Sequence, residues 1–561
     1  MAAHLRNLLP KVTARLLRWG VGLCGLVGLG LAGWLALQSP GGLRRYVLAT
    51  LSPQDAQRAL ATLSAAQWER LHGGLATLMA VYGVALLLVA LYWWAVVRLV
   101  RQYTTDTARL FRLQATRPGW VIVGLGFCLA LAGSFVGWQL LQLPVIIDEA
   151  NVYVSYVARG PLVALGYAPI ASNHLLHTGL SAVVELLPGQ WGVLAMRLPA
   201  AVAGGLAVWL FARRQWIRHS PAMGLASVLL LFANYQVLLY TTHGRGYSMV
   251  LLATLLGWHA VERWQQHGPD SAAARLWGFA LVLGATSVLT FAYPLVLLVG
   301  ALAIGLRPVR RAGVWRQFLQ SSLWGAAIGL LIWLPALLSS GTELLGSLAR
   351  AEGFPSFWGA TSAEWQTYLL RTATHVNLTG CTGPTFYILY FLGLWGLWQQ
   401  GRPRRALAYG WFLLGSILVL PALQNVLPPE KTFLFLTPFY LGLLQENLQR
   451  VRRLTGLWRG ALLVLALGVF VAGALQFRQR HWATFQLARE AAVFFRCPHA
   501  AVLRPATQLP VTDGGVYTLW RYYQRTHQLP PGFPEFILET PATQAHHYPP
   551  QKNTPNRNDR G

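Results

Sequence analysis

The stretch "VIIDEANVYVSYVARG" (residues 145–160) puts two carboxylates, Asp148 and Glu149, side by side directly after a long apolar run. The chain has only 18 Asp and Glu among 561 residues, against 45 Lys and Arg. On a regular helix neighbouring side chains point about 100° apart, so the two acids are expected to have different roles. A carboxylate in a partly enclosed site can act as a general base if its surroundings move its pKa towards working pH. The alternative is that a loop entering water simply begins with acids.

Around this stretch, 55% of the residues are hydrophobic and 11% charged, far from a soluble globular composition. The sequence therefore predicts an all-α polytopic membrane protein. A span needs about 20 apolar residues. Hydropathy predicts spans at roughly 19–38, 76–97, 120–142, 197–212, 222–241, 247–262, 276–292, 294–306, 318–339, 385–400, 406–424, 432–446 and 458–477, about thirteen in all. Within 276–306, "TFAYPLV" reads either as a tight outward turn at Pro294 or as a kink in one long helix.

The formal net charge of +27 raises a nucleic-acid reading, which the distribution of the charge argues against. The basic residues fall in short clusters between apolar runs: "RRQWIRH" (213–219), "RPVRR" (307–311), "GRPRRA" (401–406) and "QRVRR" (449–453). Cytoplasmic loops look like this under the positive-inside rule. The N-terminus, with Arg6, Lys11, Arg15 and Arg18, and segment 98–118 are then expected inside, and the Asp148 segment, 341–384 and the tail after about 478 outside. No cleavable signal peptide is expected, because the first apolar run lacks a small-residue cleavage site. Cys24 and Cys128 lie in apolar runs and are expected to be small buried hydrophobes, while Cys381 and Cys497 both face outward, so a bridge between them stays open.

Four further groups carry possible chemistry. "NHLLHTGLSAVVELL" (173–187) reads as an interfacial helix with His174 and His177 on one face. Such a pair, with a carboxylate as third ligand, suits a divalent metal; it equally suits a hydrogen-bonded polar face. "MRLPAAVAGG" (196–205), "TTHGRGYSM" (241–249) and "LPPEKTFLFL" (427–436) put Arg197, Arg245 and Lys431 at outward helix ends, against the inward bias of the other cations. Such cations either clamp a phosphate or snorkel towards lipid headgroups. As a set, beside outward carboxylates, they favour a phosphate site.

In this order, "DE", "NHLLHT", "RLPAAVAG" and "GRGYS" resemble the GT-C superfamily of integral membrane glycosyltransferases, on the branch of the bacterial protein O-mannosyltransferases and lipid A aminoarabinose transferases. The resemblance spans about residues 117–480. It implies a transmembrane helix bundle of about 11 core spans with outward interfacial helices, and an inverting sugar transfer from a polyprenyl-phosphate-linked donor on the non-cytoplasmic face of the inner membrane. By motif, Asp148 would be the catalytic base and Glu149 its support, with Arg197, Arg245 and Lys431 as donor-phosphate ligands. Asn173, His174, His177 and Tyr247 would be polar groups of the acceptor site or of the cavity. The acceptor stays open among lipid, glycan and protein. No cofactor is required, with a metal on His174 and His177 left open.

The chain departs from the pattern at both ends. Residues 1–116 add two apparent spans before the 117–480 core. Residues 481–545, including "GGVYTLWRYYQ", form a small outward segment that either caps the site or is a peripheral appendage, and 546–561 reads as a disordered tail. A transporter or flippase of a lipid-linked saccharide is the competing function, but it should show charges at the bilayer midplane and repeat symmetry. A non-catalytic membrane scaffold is a third reading.

Overall fold

The computed structural model describes residues 2–50, 65–111, 119–166, 174–189, 191–306, 308, 311–349, 355–377, 383–448, 456–484, 490, 509–511, 514–526, 528–529 and 536–538. The expectations for Asn173, Cys381, Cys497 and the 546–561 tail fall outside these residues.

The described residues before 117 form α1 (Ala2–Leu37), α2 (Pro40–Thr50), α3 (Ala65–Leu91) and α4 (Trp93–Phe111). Helices α1 and α3 cross where both lack a side chain: a Cβ on Gly25 would stand 2.9 Å from the Gly83 carbonyl oxygen. Small residues of this kind let membrane helices approach closely. Cys24, beside that crossing, is exposed on the apolar outer face and not buried as expected. Segment 98–118, expected as a cytoplasmic loop, is helical up to Phe111, since residues 93–111 contain neither Gly nor Pro. Asp106 of α4 accepts a 2.7 Å hydrogen bond from Arg275.

Helix α5 (Gly119–Gln142) follows, breaks at Leu143–Pro144 and turns by 72° into α6 (Ile147–Ser155). Pro144 cannot continue the hydrogen-bond ladder, so the chain leaves the helix there. Short helices α7 (Pro161–Gly166) and α8 (Leu175–Glu185) follow, then the long α9 (Val193–Arg218). The expected span 222–241 is two helices, α10 (Pro221–Ala233) and α11 (Tyr235–Thr242), bent by 75° at Asn234. Asn234 makes the break by accepting from the N–H groups of Gln236 and Val237 through Oδ1. Its amide nitrogen meanwhile donates to the carbonyls of His375, Val376 and Asn377.

Next come α12 (Tyr247–His267), α13 (Ser271–Ser287) and α14 (Ala292–Gly305). The break in the 276–306 region falls at Val288–Phe291, ahead of Pro294. Pro294 is the third residue of α14, where a missing N–H costs no intrahelical bond. Helix α15 (Arg311–Ala349) runs about ten residues past the expected end of its span, and accepts a hydrogen bond from Tyr82 of α3 at the Leu331 carbonyl, 2.6 Å away. The remaining helices are α16 (Ser362–Val376), α17 (Gly383–Gln399), α18 (Pro403–Leu414), α19 (Leu420–Gln424), α20 (Leu436–Leu448) and α21 (Gly456–Thr484).

Among the described residues, six helices are long and apolar enough to cross a membrane, or up to eight if each bent pair counts as one span. The other apolar runs of the sequence are present as helices too, but shorter, broken or enclosed. Helix α12, for instance, is buried along almost its whole length. Lipid-facing surfaces are apolar instead, as at Leu323 and Trp324 of α15 and Val464 and Leu465 of α21. The chain is a multi-pass membrane protein.

After α21 the tail contributes β1 (Leu509–Val511), α22 (Gly514–Arg525) and β2 (Phe536–Leu538), the two strands pairing in parallel with Leu509 opposite Phe536. Helix α22 buries Leu519, Trp520, Tyr522 and Tyr523 against Val152, Tyr153 and Tyr156 of the segment that follows Asp148. The Tyr153 and Tyr522 rings meet edge-on at 5.2 Å. The tail is thus docked on the α6 segment.

Candidate active site

Helix α6 separates its two acids as helical geometry requires. The side chain of Asp148 is 64% exposed and that of Glu149 is fully buried. Arg197, one turn into α9, grips both Glu149 oxygens, Nε to Oε1 at 3.0 Å and Nη2 to Oε2 at 2.8 Å. Its remaining N–H groups donate to the carbonyls of Leu140, Leu143 and Pro144, each at 2.9 Å. Those carbonyls end α5, where the helix leaves acceptors without partners and the macrodipole favours a cation. Arg197 therefore closes the bend between α5 and α6.

This geometry departs from the expectation that Arg197 holds a donor phosphate. All five guanidinium N–H groups have partners within the protein and the side chain is completely buried. Glu149 also accepts the backbone N–H of Gly244 at 2.7 Å. Burial by itself would raise the Glu149 pKa, but Arg197 and the Gly244 N–H outweigh it and hold the carboxyl at about 2, so it is ionised at neutral pH. One carboxylate thus joins α6, α9 and the turn between α11 and α12.

That turn is the "HGRG" sequence, and its glycines are required by close approach. A Cβ on Gly244 would lie 2.8 Å from the Met196 Cβ, and one on Gly246 would lie 3.0 Å from the Ser287 carbonyl oxygen and 3.3 Å from the His174 Cβ. Pressed into place, the turn presents Arg245, whose Nη1 is 3.1 Å from Asp148 Oδ2. The pair is an electrostatic contact and not an aligned hydrogen bond, and Nη1 has no hydrogen-bond partner among the described residues. The second cation, Lys431, sits on the turn Glu430–Phe433 with its ammonium 5.9 Å from the centre of the Tyr247 ring.

Tyr247 packs against Tyr240 at 4.5 Å and edge-on against His174 at 5.4 Å. His174 is the N-cap of α8 and is buried, with Nε2 lacking a partner among the described residues. Burial, then the charges of Arg245, His177 and Lys431, push its pKa well below the ordinary range, so the ring is neutral. His177 is also buried, and its Nε2 faces the Met196 carbonyl at 2.9 Å, which requires the proton on that nitrogen. A metal on the two histidines would need that nitrogen or Nδ1 turned to a common point with an acid. Among the described residues no group of three or more His, Cys, Asp or Glu is placed to hold a metal ion.

The arrangement brings together Asp148, Arg245, Tyr247, His174 and Lys431 from four separate segments. Sequence reasoning missed Tyr240, seven residues before Tyr247 and tilted against its ring, and the Gly244 N–H. The spacing of the two tyrosines across "TTHGRG" was the only available signal for the first.

No protein-family model matches the chain, and no curated protein gives a significant match. Among solved structures it is similar to ArnT from Cupriavidus metallidurans in the apo state, with a TM-score of 0.53 and 16% identity, covering 75% of this chain and 85% of that one. The structure of the same ArnT bound to undecaprenyl phosphate superposes with a TM-score of 0.49 and 15% identity, over 77% and 88% of the two chains. At such identities the first likeness is one of fold. Its coverage agrees with a helical core that extends well beyond any single motif, and the chain accordingly has an ArnT-like fold.

Proposed function

We propose that this protein is a membrane glycosyltransferase that takes a sugar from a polyprenyl-phosphate-linked donor and passes it, with inversion, to an acceptor hydroxyl on the extracytoplasmic side. The observation that carries this reading is the Asp148–Arg245 pair: an exposed carboxylate 3.1 Å from an arginine, both held by the buried Glu149 frame. In the reaction the acceptor oxygen bonds to the anomeric carbon from the face opposite the phosphate. The bond from that carbon to the phosphate oxygen breaks, and the polyprenyl phosphate leaves with the electron pair. The acceptor proton passes to Asp148.

Arg245 and Lys431 are the cations left to stabilise the phosphate charge as it develops, Arg245 by directed N–H groups and Lys431 as a point charge. Arg197, fully committed to Glu149 and three carbonyls, acts on the site only through the frame. The ArnT whose fold this chain resembles has also been solved with undecaprenyl phosphate bound. The sugar is a hexose or pentose, and the acceptor a lipid, glycan or protein of the cell envelope.

The test is transfer of a labelled sugar from polyprenyl phosphate by the purified protein in liposomes, with lipid, glycan and peptide acceptors in parallel. Transfer by the wild type and its loss in Asp148→Asn are expected. Undiminished transfer by that variant would remove Asp148 from the base role.

A further inference from the structure

The sequence's inward basic clusters do more than mark topology. Arg197 and Arg218 stand at opposite ends of α9, 21 residues apart, or about 32 Å along a helix. At the Arg218 end, "RRQWIRH" and "GRPRRA" converge with two buried acids. Arg214 and Arg218 reach Glu262 of α12 at 2.6 and 2.8 Å. Glu446 of α20 is approached by Arg405 at 3.2 Å and by Arg402, Arg214 and Arg218 at 3.9 Å, and accepts from the Tyr409 hydroxyl at 3.2 Å. Arg404 lines the same space.

These groups surround a cavity of about 220 Å³, lined among others by Arg218, Glu262, Arg404, Arg405, Tyr409 and Glu446. That is room for several waters, whose share of the liquid is about 30 Å³ each. Arg218, Arg404 and Arg405 line the cavity with the two carboxylates, and Arg214 and Arg402 also reach those acids, so positive charge is in excess there. An anion able to take directed N–H donors is the complement.

A second feature indicates what the anion is attached to. On the neighbouring face of α18 runs an apolar groove of about 1040 Å³, lined by Leu407, Gly410, Trp411 and Leu414 with Trp395 and Trp398 of α17. Ile304 lines the groove and Gly305, next in the chain, lines the cavity. A molecule with an anionic head and apolar chains would bridge the two.

We infer that this end of the bundle is a second lipid site, separate from Asp148, which holds the phosphodiester headgroup of an anionic glycerophospholipid in the arginine cavity and its acyl chains in the α17–α18 groove. Arginine pockets between transmembrane helices suit such headgroups. The site lies on the face that the positive-inside pattern assigns to the cytoplasm.

The experiment is rebinding of dioleoylphosphatidylglycerol to the delipidated full-length protein, followed by native mass spectrometry. Diacylglycerol and inorganic phosphate serve as separate probes. Arg404→Gln with Arg405→Gln removes two exposed cations, Gly410→Leu fills the groove without touching a charge, and Arg98→Gln on exposed α4 is the control. Expected are about tenfold or greater weakening in the double variant, a severalfold weakening in Gly410→Leu, and no change in Arg98→Gln. Equal phosphatidylglycerol binding by the wild type and the double variant overturns the site. Saturation by inorganic phosphate with no preference for the lipid, or binding of diacylglycerol as tight as phosphatidylglycerol, overturns the lipid assignment. Thermal unfolding of each variant without lipid separates lost binding from lost folding: a double variant that unfolds with the wild type and binds lipid unchanged refutes the proposal outright.

Discussion

Arg197 grips both oxygens of Glu149, at 3.0 and 2.8 Å, with neither side chain reaching solvent. The pair is therefore part of the scaffold on which Asp148 is mounted. Removing one member of a buried pair strands the other charge, at a cost of roughly 3–5 kcal/mol. Glu149→Ala and Arg197→Ala are each expected to unfold well below the wild type in detergent, and the double variant to be less destabilised than the sum. Additive losses in that double-variant cycle would contradict the pairing.

Asp148 should behave in the opposite way. It is largely exposed, so Asp148→Asn is expected to leave thermal unfolding near that of the wild type while lowering the transfer rate by about 10²- to 10⁴-fold, the usual worth of a general base. Arg245→Gln is expected to lower transfer by about 10²- to 10³-fold, as for loss of a donor to a developing anion. Single-turnover rates, with unfolding measured on the same samples, check both.

Acid should dissolve the frame. The folded pKa of Glu149, about 2, lies below its ordinary 4.5, so the group contributes stability that is complete above about pH 4.5 and is lost as pH falls towards 2. The stability advantage of the wild type over Glu149→Gln is expected to be constant from pH 7 down to about 5 and to shrink steadily below. Unfolding curves across that range give the difference directly.

The turn that carries Arg245 has no room for a side chain. Gly244→Ala sets a Cβ 2.8 Å from that of Met196, and overpacking of this kind costs about 1–3 kcal/mol. Because relief would come by moving the turn away from Glu149, the variant is expected to lose transfer activity as well. Retained wild-type kinetics would mean that the Gly244–Glu149 bond does not position Arg245.

The C-terminal helix is expected to stabilise the site segment from outside. Tyr522 is fully buried against Tyr153, and large-to-small changes at buried aromatics cost about 3–5 kcal/mol. Tyr522→Ala should lower the unfolding temperature, and increased protease cleavage within 145–160 would locate the loosened part.

Some of this was legible along the chain because it depends on local patterns. Apolar runs too long for a soluble fold, basic clusters between them, and a "DE" pair whose members must diverge by about 100° on a helix are all short-range facts. They determined a helical membrane bundle and two distinct roles for Asp148 and Glu149. The bend at Asn234 was harder, since its amide nitrogen is held by carbonyls more than 140 residues away.

What only the tertiary structure decided is which charges face each other. From the sequence, Arg197, Arg245 and Lys431 are all outward cations placed at a phosphate site. In the fold, Arg197 lies 48 positions from Glu149 and spends every N–H on it and on the frayed end of α5, while Arg245 comes to rest beside Asp148. The physical reason is that a buried charge must find partners wherever packing brings them, and spacing in the chain does not record that choice.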